Sequence, residues 1–60
     1  MTNIKDLEVE RKNAGMTISE VCILADTTAP TYRKWRESAT LKERKRVRDA
    51  IDKYIKLKDL

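Results

Sequence analysis

The chain carries one four-residue pattern twice, Thr17-x-x-Glu20 and Thr40-x-x-Glu43, and each copy predicts the start of a helix. In this pattern the Thr hydroxyl and the Glu carboxylate each accept a hydrogen bond from a backbone N–H that the first helical turn leaves free. Met16 and Val21 bracket the first copy at the positions of a hydrophobic staple, which fixes the angle at which the chain enters the helix. With one glycine and one proline, the chain has few of the turn residues that connect strands. The expectation is an all-α fold of four or five helices in a single domain over residues 1–60, without repeat, linker or low-complexity tract.

A first helix is predicted from about Asn3 to Ala14, with Thr2 or Asn3 as N-cap, Asp6 in the first turn and Gly15 as a left-handed C-terminal cap. Its apolar positions, Ile4, Leu7 and Ala14 with Arg11 between them, form a narrow stripe that other helices must cover. In the second helix Ile18, Val21, Cys22, Leu24 and Ala25 share one face, while Ile23 points away as ordinary surface or as a partner contact. Asp26 ends that helix, Thr27 or Thr28 caps the next, and Pro30 falls in the first turn, where its missing N–H is not needed. On the third helix Thr28, Tyr32 and Trp35 gather on one side, where the aromatics anchor the helix, with Ala29, Pro30, Arg33 and Lys34 on the other.

The last helix is predicted over 41–57, either continuous or broken near Arg44. Val47, Ala50, Ile51, Tyr54, Ile55 and Leu57 spread over roughly 160° of it, wider than the stripe of about 100° that a surface helix needs. That arc is either the face of a deeply packed terminal helix or a homodimer seam through Ala50, Tyr54 and Leu57. The seam is favoured, because small chains often complete their cores by association.

Charge is segregated along the chain. Residues 1–30 carry three basic and five acidic side chains, whereas residues 31–48 carry eight basic and two acidic ones, and residues 49–60 balance. A basic stretch of this kind is either a solvated face or a surface for a polyanion, and segregation favours the second, since ordinary surfaces mix both signs.

Other function classes find little support in so short a chain. Sixty residues bury only about 60% of the surface their unfolded chain exposes, and an enclosed catalytic or small-molecule cleft would consume the core. There is no histidine, and the lone Cys22 sits on the apolar side of its helix, so no metal or cofactor site, disulfide or catalytic pair is expected. No leader-like or membrane-length apolar run occurs, which makes a cytoplasmic protein the expectation.

The segment 17–37, a short amphipathic helix, a tight turn and a second short helix with a basic outer face, resembles the lambda-repressor-like helix-turn-helix family, which includes the phage Cro and repressor proteins. The similarity covers about residues 4–55. Against the family's core motif, counted from Ile18, Val21 fills the apolar fourth position and Cys22 the small fifth, normally Ala. Tyr32 and Trp35 fill the apolar fifteenth and eighteenth. Two positions depart: Asp26 stands where Gly is usual, and Ile18 where many members place a phosphate-touching Gln.

The resemblance implies that helix three enters the major groove of DNA and reads bases with Thr28, Ala29, Pro30, Arg33 and Lys34. Arg33 is the leading reader, because a guanidinium can donate two hydrogen bonds to guanine. Phosphate contacts fall to Ser19, Thr27, Thr31, Arg36, Lys42, Arg44 and Lys45. The implied function is a small phage or mobile-element repressor that binds an inverted-repeat operator as a homodimer. Two other readings remain: a protein-interaction module, such as an antitoxin or host-factor binder that uses the apolar arc and Ile23, and an excision-type architectural DNA-binding protein.

Overall fold

The computed structural model describes residues 2–59, so the ends of the expected 1–60 domain lie outside the described residues. Four helices follow one another: α1 (Lys5–Asn13), α2 (Ile18–Ala25), α3 (Ala29–Glu37) and α4 (Leu41–Lys58). Among the described residues there is no strand.

Both capping boxes form. The Thr17 hydroxyl accepts from the Glu20 N–H at 3.1 Å and the Glu20 carboxylate accepts from the Thr17 N–H at 2.8 Å. Thr40 and Glu43 repeat the pair at the same two distances. The N–H donated to each carboxylate holds Glu20 and Glu43 below the ordinary carboxylate range. The expected start of α1 is corrected: the helix opens at Lys5, and Ile4 is its N-cap without a side-chain hydrogen bond. Asn3 acts one step earlier, its Oδ1 accepting from the Lys5 N–H at 3.0 Å. Ile4 takes the cap because its side chain is fully buried, and core burial outweighs local capping at a chain end.

Left-handed backbone marks the first two of the three connections. Gly15 lies at φ 75 after α1, and Asp26 at φ 57 caps α2, the only non-glycine residue in that region among those described. A short polar side chain makes this conformation cheaper for Asp than for most residues.

The core gathers Ile4, Leu7, Met16, Val21, Cys22, Ala25, Tyr32, Trp35, Ala39, Val47, Ala50 and Ile51 from all four helices and their connections. Unbroken past Arg44, α4 packs chiefly on α2 and also on α1, while α3 rests on α2 and α1. Beyond the helices, Ala39 is buried and its N–H donates to the Thr2 carbonyl at 2.8 Å, tying the α3–α4 connection to the start of the chain. Cys22 is a buried free thiol, pushed above its ordinary value by burial.

Among the described residues, one ion pair lies inside. Arg11 and Glu8 pair at 2.7 Å with side chains 8% and 11% exposed, and Arg11 also donates to the Met16 carbonyl. Burial pushes the Glu8 carboxyl up, but the hydrogen bonds from Arg11, with the nearness of the Tyr32 hydroxyl, outweigh it and the net shift is downward.

Candidate nucleic-acid interface

The rotation of α3 about its axis is set by its two buried aromatics. Tyr32 and Trp35 are 0% and 4% exposed, and their rings meet edge to face with centroids 6.4 Å apart. Residues three and four apart on a helix share a face. Anchoring 32 and 35 inward therefore turns Pro30, Arg33, Lys34 and Glu37 outward, and all four are exposed. Arg33 and Lys34 make no ion pair or hydrogen bond through their side chains among the described residues.

Two expectations for this face are corrected. Ala29 is half-buried and packs against the core, because it lies three residues before Tyr32 and shares part of that side. Thr28 does not share the buried side of Tyr32 and Trp35: as the N-cap its backbone is extended, its side chain is exposed, and its hydroxyl bonds the Thr31 hydroxyl at 3.0 Å.

The seven residues expected at phosphates are scattered. Ser19 is exposed in the first turn of α2, Thr31 is exposed on α3, and Thr27 is half-buried in the connection between them. Arg36 sits on the α1 side of α3, half-buried, in a recess with Lys5, Glu8, Val9, Lys12 and Glu37. Lys42 and Lys45 are exposed on α4. Arg44 is corrected, because α1 occupies it: its two terminal nitrogens pair with the Asp6 carboxylate at 2.8 and 2.9 Å, and one also donates to the Asn3 carbonyl. The Arg44 hydrogen bonds hold Asp6 down at about 2. These bonds use three of the five N–H groups of the guanidinium and set a carboxylate against its charge, which makes Arg44 a weaker phosphate partner than an unpaired cation.

A residue that sequence reasoning passed over braces the α2–α3 connection. The Arg46 guanidinium donates to the Ala25 carbonyl at 2.7 and 3.2 Å and to the Asp26 carbonyl at 2.7 Å, and lies 5.7 Å from the centre of the Trp35 ring. These carbonyls form the negative end of α2, whose last turn has no basic residue of its own. That missing charge, together with a left-handed Asp cap, is the signal that a cation must arrive from elsewhere in the chain.

No known family model, curated protein or solved structure matches this chain. Among the described residues no cluster of three His, Cys, Asp or Glu could hold a metal ion, and no helix is long and apolar enough to cross a membrane.

The seam expected through Ala50, Tyr54 and Leu57 is corrected at Ala50, which is 2% exposed in the core. Tyr54 is half-buried, with its hydroxyl 3.3 Å from the Gly15 carbonyl, and Leu57 is 58% exposed. The wide arc of α4 thus splits: Val47, Ala50 and Ile51 are consumed by the core, and the C-terminal part opens on a groove with Glu20, Ile23 and Leu24 of α2. Ile23, pointing away from the core as its spacing predicts, is 77% exposed on that groove.

Proposed function

We propose that this chain is a sequence-specific double-stranded-DNA-binding transcriptional regulator, in which α2, the Asp26 connection and α3 act as a helix-turn-helix and α3 enters the major groove. The observation that carries this reading is the outward stripe of α3: Arg33 and Lys34 stand exposed beside Pro30 over buried Tyr32 and Trp35, while Arg44, Arg46 and Arg48 are engaged within the molecule. A guanidinium held outward on a rigid helix is suited to the paired acceptors of guanine, and Pro30 to apolar contact with a thymine methyl group. Lys42 and Lys45, with the Ser19 and Thr31 hydroxyls, supply phosphate contacts that position the helix without reading sequence.

In this reading the protein is a small repressor of phage or mobile-element type that acts by occupying promoter DNA. It binds as a homodimer, with Tyr54 and Leu57 joined by Ile23 and Leu24 in the contact between copies. Two recognition helices on a twofold dimer would meet half-sites about one DNA turn, roughly 34 Å, apart.

The test is selection of bound duplexes from a randomised library at two salt concentrations. Enrichment of an inverted repeat, with affinity falling steeply as salt rises, supports the reading. Retention with no enriched sequence points to architectural binding, and no salt-sensitive retention rejects DNA as the partner. The exposed groove of Ile23, Leu24, Tyr54 and Leu57 favours one second reading, a protein-interaction module that engages a partner there.

A further inference from the structure

Two polar atoms in the interior, Glu8 Oε1 and the Tyr32 hydroxyl, are buried without a hydrogen-bond partner among the described residues. Buried polar groups are rarely left so, since each loses its bonds to water for nothing in return. The two belong to one cluster. Glu8 uses its other carboxylate oxygen on Arg11, at 2.7 and 3.2 Å, and Arg11 in turn donates to the Met16 carbonyl. Tyr32 is fully buried, and both burial and the facing Glu8 carboxylate raise its phenol above the ordinary 10. One orphan can donate and the other can accept, so a hydrogen bond between them would satisfy both.

We propose that Tyr32 is a positioning residue for α3: its hydroxyl, donated to Glu8 Oε1, ties the helix to the Glu8–Arg11–Met16 network and fixes the rotation at which Arg33 and Lys34 are presented. Its place supports this, because Tyr32 precedes Arg33 directly, and a turn of α3 about its axis would carry Arg33 and Lys34 with it. Packing of Trp35 and the rest of the core also resists such a turn, with less directional preference than a hydrogen bond. A hydrogen bond from α3 to a side chain that α1 already holds in place adds that direction. The inference rests on the DNA-reading function for its consequence, though the bond itself does not.

The test uses the full chain and its Tyr32→Phe variant, which keeps the ring and removes the hydroxyl. In the wild-type protein, NMR should find the Tyr32 hydroxyl proton in slow exchange, with the half-buried Tyr54 as the fast internal reference. In the variant, backbone amide shifts should move along α3 and leave the start of α4 in place. The ratio of affinities for a selected duplex over a scrambled one should fall about fivefold, the worth of one ordinary hydrogen bond. A Tyr32 hydroxyl that exchanges as fast as that of Tyr54 overturns the proposal, as does an unchanged ratio in a folded variant. If the variant does not fold, the wild-type exchange measurement decides alone. A wild-type protein that prefers no duplex would defeat the DNA reading, while the exchange and amide-shift readouts would still decide the bond.

Discussion

The cations at 33–34 and at 44–48 look alike in the sequence and differ in what they meet. On α4, Arg44 pairs with Asp6, Arg48 with Glu10 at 2.8 Å, and Arg46 closes over the end of α2 and the face of Trp35. On α3, Arg33 and Lys34 face solvent with no such engagement among the described residues. The density of positive charge is therefore a poor guide to where a polyanion can bind. What separates the two stretches is the acidic N-terminal half: α1 packs against α4 and brings Asp6 and Glu10 to its arginines, and offers no carboxylate to the outer side of α3. The arginines of α4 tie the helices together, and Arg33 and Lys34 of α3 remain unpaired among the described residues.

Arg11 is the extreme of the inward class and gives the largest expected effect. Arg11→Ala leaves the Glu8 carboxylate buried without its partner and should cost about 3 kcal/mol of stability in urea unfolding. A loss under 1 kcal/mol would place this arginine with the outward group. Next is Arg46→Ala, which uncovers the Ala25 and Asp26 carbonyls and one face of Trp35. Its expected cost is about 1–2 kcal/mol, accompanied by a change in the Trp35 fluorescence of the folded state.

Lys45→Ala should do the opposite, leaving the unfolding midpoint in place. Duplexes of every sequence should bind more weakly, with the slope of log affinity against log salt smaller by about 0.9. A stability loss without a change of slope would move Lys45 to the inward class. The mildest effect concerns the Arg44–Asp6 pair. Arg44 lowers the Asp6 carboxyl from 3.8 to about 2, so what the pair contributes is complete above about pH 4 and is lost as the pH falls through 2. Asp6→Asn should therefore flatten the stability profile between pH 4 and 2, and a variant profile as steep as the wild type would show that other carboxylates carry that slope.

How much of this was legible in the sequence depended on how local the determining interaction is. Both capping boxes, the end of α2 at Asp26, Pro30 in the first turn of α3, buried Tyr32 and Trp35, and outward Ile23 follow from spacing within one helix or its flanks. The start of α1 did not, because Ile4 is placed by distant core residues and not by its neighbours. The engagements of Arg44 and Arg46 are not legible in the sequence, because their partners lie 38 and 20 or 21 residues away in the chain. Nor does a helical arc reveal how far the neighbouring helices cover it, which is why Ala50 was placed at a seam and lies in the core.

The most direct measurement runs the randomised-duplex selection on the wild-type protein beside Arg33→Ala and Arg48→Ala. The account predicts that Arg33→Ala erases the preference at one base position of each half-site, a loss of about 1–3 kcal/mol of discrimination, while folded Arg48→Ala recovers the wild-type motif. An identical motif from Arg33→Ala, or the same loss from Arg48→Ala, would contradict the division between unpaired cations that read and paired ones that tie the helices together.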